Sequence, residues 1–322
     1  MTSAESVKKT APLANSGPRI AVVGAGAVGG YFGGMLARSG LPVLFIGRPA
    51  FVDAVKQNGL FLDTTQFQER VKVQASSDLA AARDAEIVLF CVKTTDTAET
   101  ARDLAKIVAP NAVIVSMQNG ADNAERIEAA SGLHALPAAV YVAASVPVAG
   151  TVKHVGRGDL VLGPQNRITE KVAEVFNRAN VPCRISENLA GELWTKLVWN
   201  CALNALSALG KVTYGEILAS SDAKQLLETV VYEVLAVAKA SGIKPAGLED
   251  PKAALTGAYR VAEQMAATRS STAQDLMRGK KTEIDSLNGF IVRRARELNI
   301  AAPVNHALAT LVKLAEESSH PG

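Results

Sequence analysis

One apolar segment of the chain carries a regular series of polar side chains. Lys196, Asn200, Asn204 and Ser207 are spaced so that, at roughly 100° per residue, they fall within about 80° of one another on a helix. Most other positions of this segment are apolar, so we expect the helix to be largely buried and its lysine to need a partner or a cavity. A lysine in such a place can protonate a ketone oxygen as a general acid. The alternative is a single polar stripe that faces solvent.

Three glycines follow a short apolar run near the start of the chain. Residues 19–23 lead into the pattern G-x-G-x-x-G, which consists of Gly24, Ala25, Gly26, Ala27, Val28 and Gly29. A strand that ends in such a turn and opens a helix presents backbone N–H groups to an anion, and the third glycine lets the helix pack closely on the strand. Because a helix-like segment at 27–38 and a second strand-like run at 42–46 follow, the pattern indicates a dinucleotide site rather than a glycine-rich turn without a ligand.

The end of the second strand-like run indicates which dinucleotide binds. A carboxylate about 20 residues beyond the glycines normally holds the ribose 2′-OH of NAD, whereas an arginine there accommodates a 2′-phosphate. Residues 42–51 contain no carboxylate, and Arg48 stands at the end of the run. The pattern therefore favours NADP(H), and the alternative for Arg48 is an ordinary solvated charge.

Polar residues also end two later strand-like runs. Lys93 follows one run and could meet a phosphate or a ribose, and Asn119 follows the next and could hydrogen-bond near a nicotinamide. A turn or a helix cap would explain Asn119 and Gly120 equally well. A third cluster of polar residues lies at 269–289 and contains hydroxyl and acidic side chains. Helix capping alone would explain its hydroxyl groups, and favourable charge near the start of a helix would explain its acidic side chains.

The composition excludes several classes of function. The chain of 322 residues has 34 basic and 31 acidic side chains, and its formal net charge of +3 is too small to indicate a nucleic-acid partner. We find no apolar run of roughly 18 residues and no signal-peptide core, so we expect a cytoplasmic protein with no membrane partner. The histidines lack ligand spacing, and we expect no metal. Cys91, Cys183 and Cys201 are predicted to be buried thiols.

The elements that must position these residues fall into two groups. Continuous apolar runs at 85–92 and 112–117 are typical of parallel strands that are buried on both faces. Residues 138–162 alternate and contain turn signals, which predicts antiparallel strands at the edge of the same sheet. Beyond residue 187 only helical periodicity remains, and it predicts helices at 189–209, 223–240, 253–267, 283–298 and 305–317.

We therefore predict an α/β fold: a doubly wound domain of the Rossmann type followed by an all-helical domain that closes the crevice at the strand ends. The predicted boundaries are a disordered lead-in at 1–18, the dinucleotide-binding domain at 19–187 and the helical domain, which would bind substrate, at 188–322.

Taken in order, four motifs resemble those of the ketopantoate reductase (2-dehydropantoate 2-reductase) family. They are the glycine pattern at 24–30, Gln118-Asn119-Gly120, the spacing of Lys196, Asn200 and Asn204, and the stretch from Ser270 to Gly289, and the resemblance extends over residues 19–314. The resemblance implies NADPH-dependent reduction of 2-dehydropantoate to (R)-pantoate, a step towards pantothenate and coenzyme A.

The resemblance also implies roles for individual residues. Lys196 matches the proton donor of the family, and Glu283 matches the residue that orients substrate or product. The positions that match substrate contacts are Asn200, Asn204 and Ser271, and those that match cofactor contacts are Arg48, Lys93 and Asn119.

The chain departs from the family pattern at two presumed substrate positions. Tyr214 stands where the pattern has asparagine, and a second asparagine is missing near Thr268. An NADPH-dependent reductase of another branched 2-keto acid therefore stays open as an alternative. A β-hydroxyacid dehydrogenase is disfavoured, because those enzymes have glycine where this chain has Glu192. A non-catalytic NADPH-sensing protein is a third alternative, although it would have no need of Lys196. The helical domain has enough apolar surface for a homodimer.

Overall fold

The structure, a computed structural model, describes residues 17–248 and 250–318. The predicted disordered lead-in therefore lies, except for its last two residues, outside the described residues. The first part of the chain alternates strands and helices, which are β1 (Ile20–Val23), α1 (Ala27–Arg38), β2 (Val43–Ile46), α2 (Pro49–Asn58), β3 (Leu60–Asp63), β4 (Gln68–Val71), β5 (Gln74–Ser76), β6 (Ile87–Phe90), α3 (Thr97–Ala105), β7 (Val113–Ser116), α4 (Asn123–Ser131), β8 (Ala135–Pro137), β9 (Ala139–Ser145), β10 (Thr151–Leu162), α5 (Arg167–Arg178) and β11 (Cys183–Ile185).

Six of these strands form a parallel sheet. Their order is β5-β2-β1-β6-β7-β8, and every neighbouring pair runs in the same direction. The central strands β1 and β6 are buried along their whole length, which explains their continuous apolar sequences. Because the strands are parallel, the carboxyl ends of β1, β6 and β7 meet at one edge of the sheet, where ligands of such folds bind.

The antiparallel strands predicted at the edge of this sheet belong to a second sheet instead, so that prediction was wrong. The second sheet has the order β11-β10-β3-β4, with β9 antiparallel to β10. The long strand β10 also pairs in parallel with β3 and β11, which makes it the centre of a separate sheet. Strands β3 and β4 were not predicted, because each is only four residues long and β4 reads QERV.

Helix α1 lies between the two sheets, and adjacent glycines face each of them. A Cβ atom at Gly29 would lie 2.8 Å from Cγ1 of Val22 in β1, and one at Gly30 would lie 2.6 Å from Cγ2 of Val152 in β10. A second glycine pair repeats this arrangement one turn further along the helix. The glycines therefore let one helix pack closely on two sheets, and the close packing predicted for Gly29 is confirmed.

Beyond β11 every regular element in the described residues is helical. The α-helices are α6 (Leu189–Gly210), α7 (Tyr214–Ala219), α8 (Ser221–Ala240), α9 (Pro251–Gln264), α10 (Ser271–Met277), α11 (Asn288–Glu297) and α12 (Pro303–Ser318). Residues 186–188 connect β11 to α6. None of the described helices is long and apolar enough to span a membrane.

Two details of the helical part differ from the prediction. The helix expected at 283–298 is divided into a 3₁₀ turn, Ile284–Ser286, and α11, because Leu287 has a non-helical backbone. The short helix α7 was not predicted, since six residues are too few to show a period. Helix α10 begins in the cluster whose hydroxyl groups were expected to cap helices: Ser270 is its N-cap, and Oγ of Ser270 accepts the N–H of Ala273 at 3.0 Å.

The three cysteines are unpaired. Cys183 and Cys201 are buried as predicted, but Cys91 is partly exposed, because it directly follows β6 at the open edge of the sheet.

Candidate active site

The glycine turn after β1 forms an open cradle at the start of α1. Gly24 has φ +102°, and a Cβ there would lie 2.6 Å from the carbonyl carbon of Cys91, so only glycine fits the turn. At Gly26, by contrast, a Cβ would meet nothing within 4 Å. No side chain caps α1, and its first turn has no acidic residue, so its N–H groups and the positive end of its dipole face this opening. The other residues of the pattern, which are partly exposed here, are Ala25, Ala27 and Val28.

Arg48 lies beside this cradle. It is the N-cap of α2, directly after β2 and Gly47, and a Cβ at Gly47 would lie 2.9 Å from Cβ of Ala25. The Arg48 side chain is exposed and makes no hydrogen bond or ion pair with the described residues. A free guanidinium group next to an anion cradle can bind a further phosphate.

Lys196 extends from α6 to the edge of the parallel sheet. Its Nζ donates to Oδ1 of Asn119 at 2.8 Å and to the carbonyl oxygen of Val140 in β9. Burial lowers the pKa of Lys196 to about 8; the carboxylate of Glu283 opposes this shift and the charge of Arg157 adds to it. The lysine can therefore both hold and release a proton near neutral pH.

Asn119 connects Lys196 to Glu283. Its Nδ2 donates to Oε2 of Glu283 at 3.1 Å, while its Oδ1 accepts from Lys196. The backbone N–H of Thr94 donates to the other carboxylate oxygen of Glu283, also at 3.1 Å. The segment that starts at Asn119 is a turn, with Gly120 at φ +107°, but the side chain of Asn119 belongs to the site.

Lys93 crosses the same crevice at another point. Its Nζ forms an ion pair with Asp275 at 2.6 Å and donates to the carbonyl oxygen of Lys281 at 3.0 Å. These partners lie in the helical part of the chain, so Lys93 here contacts protein groups. Its predicted contact with a cofactor stays a prediction.

The polar stripe of α6 continues into the helical part. Asn200 is partly exposed, and its side chain has no hydrogen-bond partner among the described residues. Asn204 and Ser207 are 4% and 0% exposed, so the stripe does not simply face solvent. Ser270 donates through Oγ to the backbone carbonyl of Asn204 at 3.0 Å, which brings α10 against α6. Ser271, the next residue, is exposed and makes no side-chain hydrogen bond with the described residues.

Two residues near Lys196 were not foreseen from the sequence. The ring of Tyr141 lies 5.9 Å from Nζ of Lys196 and 4.0 Å from the guanidinium carbon of Arg157. Arg157 is held by a two-pronged contact to Asp159, with distances of 2.9 and 2.7 Å. No spacing rule relates these residues to Lys196, because the second sheet that carries them was itself not predicted.

A cavity of about 690 Å³ lies behind Tyr141, on the side of α6 that faces α9. It is lined by charged and aromatic residues that include Arg157, Arg184, Trp199 and Arg260. None of the predicted site residues lines it, so we do not assign the substrate to this cavity.

Comparisons with known proteins agree on one family. The family model described as "Ketopantoate reductase PanE/ApbA" matches residues 20–167, and its C-terminal counterpart matches residues 188–316. A 2-dehydropantoate 2-reductase of Pyrococcus abyssi (strain GE5 / Orsay) is 33% identical over 299 residues, which cover 92% of this chain and 97% of that protein.

Solved structures are similar over almost the whole chain. A PanE/ApbA family ketopantoate reductase from Ralstonia eutropha JMP134 is 44% identical, with a TM-score of 0.88 over 94% of this chain and 99% of that one. A D-mandelate dehydrogenase solved with NADH and anilino(oxo)acetate has a TM-score of 0.86 over the same share of each chain, but at 24% identity it indicates the fold alone.

Proposed function

This chain belongs to the ketopantoate reductase family, an oxidoreductase family, and from that premise we propose that it reduces 2-dehydropantoate to (R)-pantoate with NADPH. In this role the protein would catalyse a step towards pantothenate. The observation that carries the proposal is the position of Lys196, whose ammonium group is held at the edge of the parallel sheet by Asn119 and by the carbonyl oxygen of Val140.

The residues around the glycine turn fit a nicotinamide dinucleotide. The opening at Gly26, the uncapped start of α1 and the free guanidinium of Arg48 suit a pyrophosphate and a ribose 2′-phosphate. Gly24, Ala25, Gly26, Ala27, Val28 and Gly29 would hold the pyrophosphate, and Arg48 would favour NADPH over NADH. Lys93 and Asn119 would complete the site. When bound, the nicotinamide supplies the hydride for the ketone carbon.

Lys196 would supply the proton. As negative charge develops on the ketone oxygen, Nζ donates a proton to it, and the low dielectric of the crevice strengthens this assistance. Asn119 and the Val140 carbonyl fix the direction of Nζ, since each accepts one of its hydrogens. The charge of Glu283 favours the protonated form of Lys196, which is the form that the reaction consumes.

The substrate would lie along the polar stripe of α6. The amide of Asn200 has no partner among the described residues, and Asn204 and Ser271 lie further along the same wall. A 2-keto acid needs hydrogen-bond donors for its carboxylate, and these amides and the hydroxyl of Ser271 can supply them.

A second candidate substrate is another branched 2-keto acid. The observation that favours it is the phenol of Tyr214, which contacts Asn204 at one end of the proposed substrate wall. Steady-state oxidation of NADPH with 2-dehydropantoate and with a panel of branched 2-keto acids decides between the two. We expect the highest kcat/KM with 2-dehydropantoate, and no oxidation of NADPH with it would refute the proposal.

A further inference from the structure

Tyr214 and Asn204 form a buried hydrogen bond at the far end of the polar stripe. Oη of Tyr214 donates to Oδ1 of Asn204 at 3.1 Å, and the two residues are 7% and 4% exposed. Burial raises the pKa of the Tyr214 hydroxyl far above its usual value, so the phenol keeps its proton and remains a donor. The oxygen of the Asn204 amide therefore accepts one hydrogen bond from a donor that cannot reverse its role.

The other end of this amide is free. Nδ2 of Asn204 has no hydrogen-bond acceptor among the described residues. The atom is nevertheless not completely buried. Nδ2 therefore keeps some solvent-accessible area, although Asn204 as a whole is buried. Asn200 lies one turn away on the same face of α6 and also has no side-chain partner in the described part of the chain.

Backbone hydrogen bonds to neighbouring segments hold both Tyr214 and Asn204 in place. The N–H of Tyr214 donates to the carbonyl of Thr268 at 3.0 Å, which fixes the start of α7. The backbone carbonyl of Asn204 accepts from Oγ of Ser270 at 3.0 Å, which fixes this turn of α6 against α10. The amide plane of Asn204 can still rotate about its side-chain bond, and the phenol is the group that stops it.

We propose that Tyr214 is a positioning residue that holds the amide of Asn204 with its N–H groups towards the substrate. This inference rests on the proposed function, since it assigns Asn204 to the substrate wall. Its consequence is selectivity: the site accepts 2-keto acids that present an oxygen acceptor to Asn204, which is either a carboxylate oxygen or a hydroxyl oxygen. A substrate that donates a hydrogen at this point must share the Asn204 oxygen with the phenol of Tyr214.

The first test is the variant Tyr214→Phe, which removes only the hydroxyl. Tyr232→Phe is the matched control, because Tyr232 is 46% exposed and its hydroxyl makes no hydrogen bond with the described residues. With Tyr214→Phe we expect KM to rise roughly 3- to 10-fold while kcat changes little, since the lost bond orients substrate and takes no part in the proton transfer. Tyr232→Phe is expected to leave both constants unchanged.

Two substrates distinguish the two kinds of acceptor. One is 2-dehydropantoate and the other is 3,3-dimethyl-2-oxobutanoate, the same keto acid without its hydroxyl group. If Asn204 binds the hydroxyl oxygen, only 2-dehydropantoate loses affinity in Tyr214→Phe. If it binds a carboxylate oxygen, both acids lose affinity equally. An unchanged KM for both acids overturns the inference.

A second variant covers the case in which Tyr214→Phe does not fold. Asn204→Asp keeps an acceptor for the Tyr214 hydroxyl but replaces the free donor by an acceptor, so it should raise KM more than Tyr214→Phe does. An Asn204→Asp protein that folds and keeps the wild-type KM overturns the inference.

Substrate binding is also measured without turnover, as the saturable rise in melting temperature that 2-dehydropantoate produces in the presence of NADPH. A wild-type protein that binds the acid but does not reduce it contradicts the proposed function. The inference is then tested by the Kd of Tyr214→Phe and of Asn204→Asp for the acid: a higher Kd supports it, and an unchanged Kd overturns it. A protein that binds none of the keto acids overturns both.

Discussion

Nδ2 of Asn119 donates a hydrogen bond of 3.1 Å to Oε2 of Glu283, although 164 positions of sequence separate the two residues. The same amide accepts from Nζ of Lys196 through its oxygen, at 2.8 Å. One asparagine therefore joins an ammonium group on α6 to a carboxylate that precedes α11. The carboxylate does not touch the lysine, yet its charge raises the pKa of Lys196 against the effect of burial.

Removing the charge of Glu283 should shift the pH dependence of the reaction. In the wild type, kcat/KM is expected to fall as the pH rises through about 8, where Lys196 loses the proton it must donate. The variant Glu283→Gln removes a charge that favours protonated Lys196, so the pKa of Lys196 falls and the decline moves to lower pH. The pH profile of kcat/KM measures this shift.

Glu263→Gln is the matched control, because Glu263 is exposed on α9 and its side chain makes no hydrogen bond or ion pair with the described residues. Its pH profile should coincide with that of the wild type. A decline that stays in place or moves to higher pH in Glu283→Gln contradicts the electrostatic role of Glu283.

Lys196 itself should be needed for turnover but not for binding the dinucleotide. Lys196→Ala removes the proposed proton donor and leaves the glycine turn untouched, so kcat should fall roughly 10²- to 10⁴-fold. The Kd for NADPH, measured by fluorescence titration, should remain close to that of the wild type. Lys224→Ala, a change at an exposed lysine of α8 without an ion pair in the described part of the chain, controls for the loss of a positive charge. Full turnover in Lys196→Ala would contradict the role of Lys196 as the proton donor, whereas NADPH binding without turnover in the wild type would support the NADPH-sensing alternative.

Arg48 should decide between the two nicotinamide dinucleotides. An ionic hydrogen bond to a 2′-phosphate is worth about 1.5–3 kcal/mol, so Arg48→Ala should raise the KM for NADPH roughly 10- to 100-fold. The KM for NADH should barely change, because NADH has no 2′-phosphate. Arg83→Ala removes an exposed arginine that lies outside the cradle and should alter neither value. If Arg48→Ala raised the KM for NADPH and the KM for NADH by the same factor, Arg48 would not bind the 2′-phosphate.

The sequence predicted the local elements of this fold well and the long-range contacts poorly. Helix α1 has the bounds expected from the glycine pattern, Ala27–Arg38, because the turn before it depends on adjacent residues. The second sheet escaped prediction, since its centre, β10, is defined by partners that are distant in sequence. The polar stripe of α6 indicated that Lys196 needs a partner. It did not indicate that the partner is the carbonyl oxygen of Val140, because that residue is distant in sequence.

Two glycines of the same turn should respond in opposite ways to the same substitution. At Gly29 a Cβ would overlap the carbonyl oxygen of Gly24 and lie 2.8 Å from Cγ1 of Val22, so the helix must move away from the sheet. Gly29→Ala should therefore lower the free energy of unfolding by about 1–3 kcal/mol, as overpacking in a core does. At Gly26 a Cβ meets nothing within 4 Å and the φ angle is −82°, so Gly26→Ala should keep the wild-type stability.

The methyl group of Gly26→Ala would instead occupy the space through which a pyrophosphate approaches the start of α1. We expect its Kd for NADPH to rise at least about 10-fold, in line with the loss of a charge-assisted backbone hydrogen bond. Urea denaturation and NADPH titration of the two variants measure both properties. If Gly26→Ala binds NADPH as tightly as the wild type, the dinucleotide does not lie against this turn. If Gly29→Ala is as stable as the wild type, the close contact between α1 and β1 does not limit the packing of the helix.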